Sequence, residues 1–376
     1  MQLGREWLRR LFQKHKAARL LFFSHETTWS GAPIQLLHLM SWLKRNGREL
    51  AVAIPKENSA QSGAISAELE ALGIEIFPII DLSVMPDINE LRSLCNQFDL
   101  VVANTLVMWG AVRAAHESGL PVIWYIHETL LLWRLLELNP EIEPTLGLAN
   151  LIVFPTSHTA QLYRSLTDRP IEVVPYGIPP VRPLAATERD SSRIRFLVLG
   201  SYEQRKGQDL FLEAIAQLPA ALEGRTFFQM AGRKLDLEFY ETLARQGTRP
   251  NVLLGDALEH DEALKATAAA DVLVCASRDE TMPIAILEAM SLGKAIITTN
   301  VGGTTEWLRD GANALVVPVD DSAALARAIT RCAEEPELIK SLGKSAHRTF
   351  VAEFSLDHLG KRFSKLIDRV LREKKP

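Results

Sequence analysis

The sequence predicts an α/β fold built from two doubly wound parallel-sheet domains. Three observations carry this expectation. Apolar runs of strand length alternate with helical stretches from Arg19 to Val174, a Pro-rich and then charged stretch breaks the pattern, and the alternation resumes from Arg195 to Val317. Repeated strand-helix-strand order gives parallel strands covered on both faces, with ligands bound outside the carboxyl ends of the strands. The 376 residues suffice for two domains of ordinary size, each with its own core.

Residues 1–18 read as a basic amphipathic helix. Leu3, Trp7, Leu8, Leu11 and Phe12 recur at helical spacing while Arg5, Arg9, Arg10, Lys14 and Lys16 fill the other face. Such a helix makes peripheral contact with an anionic membrane, packs against the first domain, or is a frayed leader. In the first domain, 19–180, strands are expected at 19–24, 50–54, 74–79, 100–103, 122–126, 152–154 and 172–174, with a helix from Pro33 to about Asn46 after the first. The linker, 181–192, belongs to a stretch in which Pro175, Gly177, Pro179, Pro180 and Pro183 and then the charged 187–192 continue neither sheet nor helix. In the second domain, 193–354, strands are expected at 195–199, 227–231, 252–254, 272–276, 295–298 and 315–317, with a helix opened by Gly207 running to Leu218. A last helix, 356–372 within the terminal segment 355–376, closes the chain.

Composition narrows the classes. A net charge of −4 gives no reason to expect nucleic acid as a partner. Three cysteines, Cys95, Cys275 and Cys332, form neither a disulfide framework nor a zinc spacing, which fits a reducing cytoplasm. No apolar run reaches the roughly 20 residues needed to span a bilayer, and no cluster of Asp or His offers a magnesium site.

The chemistry gathers in Ser277–Gly303. The run Val272–Ala276 is followed by the polar loop Arg278-Asp279-Glu280-Thr281, then by a helix expected from Pro283 to Leu292. That helix is apolar nearly all round except for Glu288, whose partner must be an arginine or the hydroxyls of a ligand. The free N–H groups at the start of the helix, between Met282 and Ala285, form an anion site beside Glu280. A second polar site lies after the strand 195–199. Gly200 ends that strand, and Arg205 and Lys206 stand at the next helix N-terminus, where guanidinium, ammonium and helix dipole converge on a place for a diphosphate.

Glu280, seven residues, Glu288, then Ala-Met-x-x-Gly-Lys-x-Ile-Ile-x-Thr and Gly302-Gly303 resemble the donor-site signature of the family 4 retaining glycosyltransferases (glycosyl transferases group 1). The match departs at Thr281 and Met282, where the family has Gly and an aromatic. The resemblance implies the GT-B architecture, two Rossmann-like domains facing across a cleft, with the last helix crossing back to the N-terminal domain. It also implies a metal-independent transferase with no cofactor, moving a hexose from a nucleotide diphosphate sugar to a glycan, lipid-linked or small-molecule acceptor in cell-surface polysaccharide or glycoconjugate biosynthesis. Such an enzyme is expected in the cytoplasm, at most peripheral to the inner face of the membrane. Three residues take catalytic roles by the resemblance: His127, just past the strand 122–126, against the transferred sugar; Lys206 against the pyrophosphate; and Glu280 at the sugar. Gly31, Gly200, Arg205, Lys206, Gly232, Asp256, Glu280, Thr281, Met282, Pro283, Ile284 and Glu288 are expected at the donor. The alternative is a non-catalytic protein of the same fold that binds the nucleotide sugar, or a partner subunit.

Overall fold

The computed structural model describes residues 18–56, 63–83, 85–182 and 193–373. All but the last residue of the amphipathic segment expected at 1–18 and most of the linker therefore lie outside the described residues. In the first sheet the strands are β1 (Arg19–Phe23), β2 (Glu49–Pro55), β3 (Glu75–Ile79), β4 (Leu100–Asn104), β5 (Val122–Tyr125), β6 (Leu151–Phe154) and β7 (Ile171–Val173). They lie in the order β3-β2-β1-β4-β5-β6-β7. In the second sheet β8 (Ile194–Leu199), β9 (Thr226–Ala231), β10 (Val252–Gly255), β11 (Val272–Cys275), β12 (Ala295–Thr299) and β13 (Leu315–Val317) lie in the order β10-β9-β8-β11-β12-β13. All strand pairs are parallel. Each strand expected from the sequence is present, with its ends shifted by no more than one residue.

The reason is visible in β1. Leu20 and Phe22 point into one core while Leu21 and Phe23 point into another, so a strand covered on both faces must be apolar at every position. The strand order reverses direction between β1 and β4 and again between β8 and β11. Those two switch points open the crevices in which such sheets bind ligands. One core joins the domains: Leu20 and Phe22 belong to the same cluster as Leu273, Ile286, Phe354 and Phe363.

Helix ends differ more than strand ends. The first helix runs Gly31–Arg45, and the helix after Gly207 runs Gln208–Ala216. Pro283 stands just outside the helix Ile284–Ser291, with φ −63° and ψ 128°. Its φ suits a helix, but its ψ is extended, and its carbonyl accepts the first bonds, from the Ile286 and Leu287 amides. The stretch read as linker also begins later than its prolines suggest, because Tyr176 and Ile178 are buried and the Ile178 amide donates to Phe354 O at 3.0 Å.

The last helix, Leu356–Glu373, packs on Gly31–Arg45 of the first domain. Trp42 Nε1 donates to Asp357 Oδ1 at 2.8 Å, and Arg48 and Arg369 pair with Asp368 and Glu172 at 2.7 Å each. The indole lies on Gly360, where a Cβ would stand 2.0 Å from Trp42 Cδ2. Gly360→Ala is expected to destabilise the protein by about 1–3 kcal/mol, through overpacking against a rigid ring. A lowered urea midpoint at constant slope would report it, and an unchanged midpoint would show that the helix slides freely on Trp42.

Candidate functional site

The cations come first. After β8 the chain turns through Gln204–Lys206 into the helix Gln208–Ala216, which brings both basic side chains to the end of β11. Lys206 Nζ donates to Glu280 Oε1, and Arg205 Nη1 lies 3.6 Å from the same oxygen. Ser277 Oγ donates to it at 3.1 Å. Glu280 is only 8% exposed, so these donors offset the loss of water around its charge. Arg205 also donates to Asp279 O and to Glu203, each at 2.9 Å. Arg278 fixes the loop from behind, gripping both oxygens of Asp209 at 2.9 Å and Asp320 at 2.6 Å.

Gly302 determines where that loop stands. Its φ is +52°, and a Cβ there would lie 1.5 Å from Glu280 O. Gly302 thus lets the chain approach Glu280 closely, and Gly303 lets it approach Thr156 of the first domain.

Glu288, 7% exposed, is paired with a histidine and not with an arginine. Its Oε1 lies 2.8 Å from His260 Nε2, at the start of the helix His260–Ala269. The bond to Glu288 raises the His260 pKa above its ordinary value. The imidazole stacks on Trp29 of the first domain, with ring centroids 5.0 Å apart and planes at 17°.

His127 stands beyond β5, in the first domain, with both ring nitrogens in use. Nε2 lies 2.7 Å from Asn104 Oδ1, which can only accept, so Nε2 carries the proton and Nδ1 accepts from Tyr176 OH at 2.7 Å. Burial, with His25 nearby, pushes the His127 pKa down to about 3, so the ring is neutral and serves as a hydrogen-bonding group rather than a proton carrier. Glu128 beside it accepts from the His127 and Leu106 amides, and burial raises its pKa.

The two domains meet around these residues. Thr281 Oγ1 donates to His127 O at 2.5 Å, Thr129 Oγ1 to Asp279 Oδ2 at 2.8 Å, and the Ser157 and His158 amides to Glu306 at 3.1 and 2.8 Å. Glu306 thus caps, from the second domain, the N-terminus of the first-domain helix Ser157–Tyr163.

A cavity of about 530 Å³ lies between the domains. Gly31, Gly200, Arg205, Lys206 and Gly232 line it together with Trp29 and His260. Glu280 and Pro283 border a much smaller space of about 20 Å³ next to Lys206. Met282 is buried at 3% exposure among core side chains, and Ile284 packs partly buried against the same core. Asp256 stands apart. Its carboxylate is exposed and paired with Lys234 at 2.6 Å, just past the edge strand β10, and does not line the cavity. Sequence reasoning missed Trp29, His260, Asn104, Tyr176 and Glu306. Only His260 carried a local hint, in the charged start of its helix. Among the described residues no group of three His, Cys, Asp or Glu side chains is placed to hold a metal ion, and no helix is long and apolar enough to cross a membrane.

Two sequence families match this chain in succession, Glycosyltransferase Family 4 over residues 29–182 and Glycosyl transferases group 1 over residues 184–349. This chain belongs to the group 1 glycosyl transferases. Among curated proteins, alpha-D-kanosaminyltransferase of Streptomyces kanamyceticus is 28% identical over 168 residues, 44% of this chain and 42% of that protein. The lipopolysaccharide core biosynthesis glycosyltransferase LpsE of Rhizobium meliloti is 28% identical over 170 residues, 45% of this chain and 48% of its own. The matched stretch spans less than half the length of these curated relatives. Among solved structures, HepE of Anabaena in complex with UDP-glucose superposes with a TM-score of 0.79 at 18% identity, covering 94% of this chain and 100% of that one. This group 1 glycosyl transferase therefore shares the GT-B fold.

Proposed function

We infer that the chain moves a hexose from a nucleoside diphosphate sugar to a glycan, lipid-linked or small-molecule acceptor. The observation that carries this reading is the convergence of Lys206, Arg205 and Glu280 at the carboxyl ends of β8 and β11, beside the cavity between the domains. Two cations at a helix N-terminus suit a diphosphate, and a buried carboxylate beside them suits sugar hydroxyls. As the bond from the anomeric carbon to the donor phosphate breaks, Lys206 and Arg205 stabilise the charge that develops on the leaving diphosphate without calling on a resident metal ion. The acceptor oxygen bonds to the same carbon with retention, as the resemblance implies, and its proton passes to the released phosphate oxygen.

Glu288 takes the ribose hydroxyls in this reading, and His127 offers its Nε2–H, now given to Asn104, to the sugar. The acceptor lies on the first-domain side. Leu130, Leu131, Trp133 and Leu138 are exposed on a stretch that begins directly after Thr129 at the domain contact, which favours a lipid-linked acceptor. Work on such an acceptor fits cell-surface polysaccharide or glycoconjugate synthesis, from the cytoplasm at the inner face of the membrane. The relatives named for sugar transfer and the neighbour holding UDP-glucose support the same reading.

Thermal shifts with UDP, GDP, ADP and their hexose conjugates test it, on the wild type and on Glu288→Ala. A ligand at 100 times its Kd adds about 2.7 kcal/mol of stability. One nucleotide class is expected to raise Tm, and to do so less in the variant. No response to any of them would remove the donor site from this cavity.

A further inference from the structure

His260 holds three positions at once. It opens a second-domain helix, its Nε2 lies 2.8 Å from Glu288 Oε1, and its ring stacks on Trp29 of the first domain. Trp29 and His260 line the same cavity as Lys206 and Arg205, and buried Glu288 lies behind the imidazole. An aromatic plane and a buried carboxylate are the two partners a nucleoside uses, one for its base and one for its ribose hydroxyls. A single imidazole engages both.

We propose that His260 competes with the donor nucleoside for Trp29 and Glu288, so that the imidazole swings out as the base and ribose take up the same two partners. This competition presupposes the donor site proposed above and adds to it a residue that selects when Glu288 is available. The burial of Glu288 gives His260 its purpose: a carboxylate so enclosed needs a donor at all times, and the imidazole supplies one until hydroxyls replace it. The charges around the ring agree. Glu288 strengthens its hold on a proton while burial opposes, and Asp261 on its own helix adds to the pull. His38 faces it from the helix Gly31–Arg45 and is held neutral by burial, its pKa lowered to about 4. Displacing a protonated imidazole from Glu288 releases its proton, so nucleotide affinity rises with pH through the His260 titration.

Calorimetric titration of UDP, GDP and ADP at about pH 6 and about pH 8 tests this, on the wild type, His260→Ala, His260→Gln and Trp29→Ala. His260→Ala is expected to tighten binding of the accepted nucleotide by about three- to tenfold at the lower pH, with a smaller gain at the higher, because more of the protein has both partners available. His260→Gln keeps a hydrogen bond to Glu288 without a titrating proton, so it is expected to lose the extra pH dependence. Trp29→Ala is expected to weaken binding about fivefold or more as the base loses its stack. The nucleotide's own phosphate titrates alike with every variant and cancels in the comparison. A wild type that binds none of the three overturns the donor reading and the competition together. A wild type that binds, beside a His260→Ala that binds no more tightly and keeps the same pH dependence, overturns the competition and leaves the donor reading standing.

Discussion

Replacing Lys206 with alanine is expected to lower kcat by roughly a hundredfold or more, because the charge it opposes grows as the diphosphate leaves. The ammonium faces Glu280 from a side chain that is 20% exposed, close enough to a crevice to meet a phosphate and sheltered enough to act at low dielectric. Its loss leaves Glu280 with Arg205 at 3.6 Å and Ser277 at 3.1 Å, so the loop keeps two of its three supports and the fold is expected to hold. The split between constants separates the roles. A cation that acts on the transition state lowers kcat and kcat/KM alike, whereas one that only binds the donor raises KM and spares kcat. Lys206→Arg keeps the charge but spreads it over a planar fork, and is expected to fall between the wild type and the alanine variant. Measured as nucleoside diphosphate released in the presence of acceptor, turnover of Lys206→Ala within threefold of the wild type would remove Lys206 from the chemistry.

How far the sequence could show this site depends on the range of the interaction involved. Both sheets were legible because strands buried on two faces are apolar without interruption, as Leu20 to Phe23 and Val272 to Val274 are. Arg205, Lys206 and Glu280 were legible because helix starts and strand ends place charges where a ligand or a counter-charge can meet them, and Glu288 because it is the one charge in an otherwise apolar helix. The partner of Glu288 was not. It depends on the helix His260–Ala269 packing beside Ile284–Ser291, and no spacing within either helix encodes that register. Tyr176 escaped notice for a related reason: prolines on either side made its stretch read as a linker, yet its hydroxyl donates to His127 Nδ1 once Asn104 has fixed the tautomer. The pairing of Asp256 with Lys234 was equally hidden, since only the strand order shows that β10 is an edge. Glu306 caps a helix 149 residues away, a contact that exists only once the domains meet.

Gly302→Ala is expected to reduce turnover by on the order of a hundredfold by moving Glu280, because a displacement of about 1 Å at a reacting group has that effect. At φ +52° an alanine costs about 1–2 kcal/mol in the backbone alone. Its Cβ, 1.5 Å from Glu280 O, then forces either the glycine loop or Glu280 to move. Neither movement is local. The Gly303 amide donates to Thr281 O at 3.1 Å, and Thr281 in turn donates to His127 O, so a shift of the loop carries Glu280 away from Lys206 and loosens the contact between the domains. Gly311→Ala separates the two costs. Its φ is +68°, but nothing lies within 4 Å of an added Cβ, so that variant bears the backbone penalty without the collision. Both variants are expected to melt lower by a few degrees, at roughly 2–4 °C per kcal/mol for units of this size. Only Gly302→Ala is expected to lose transfer. Equal turnover in the two would mean that Glu280 tolerates displacement, and that the close approach of Gly302 serves the fold and not the site.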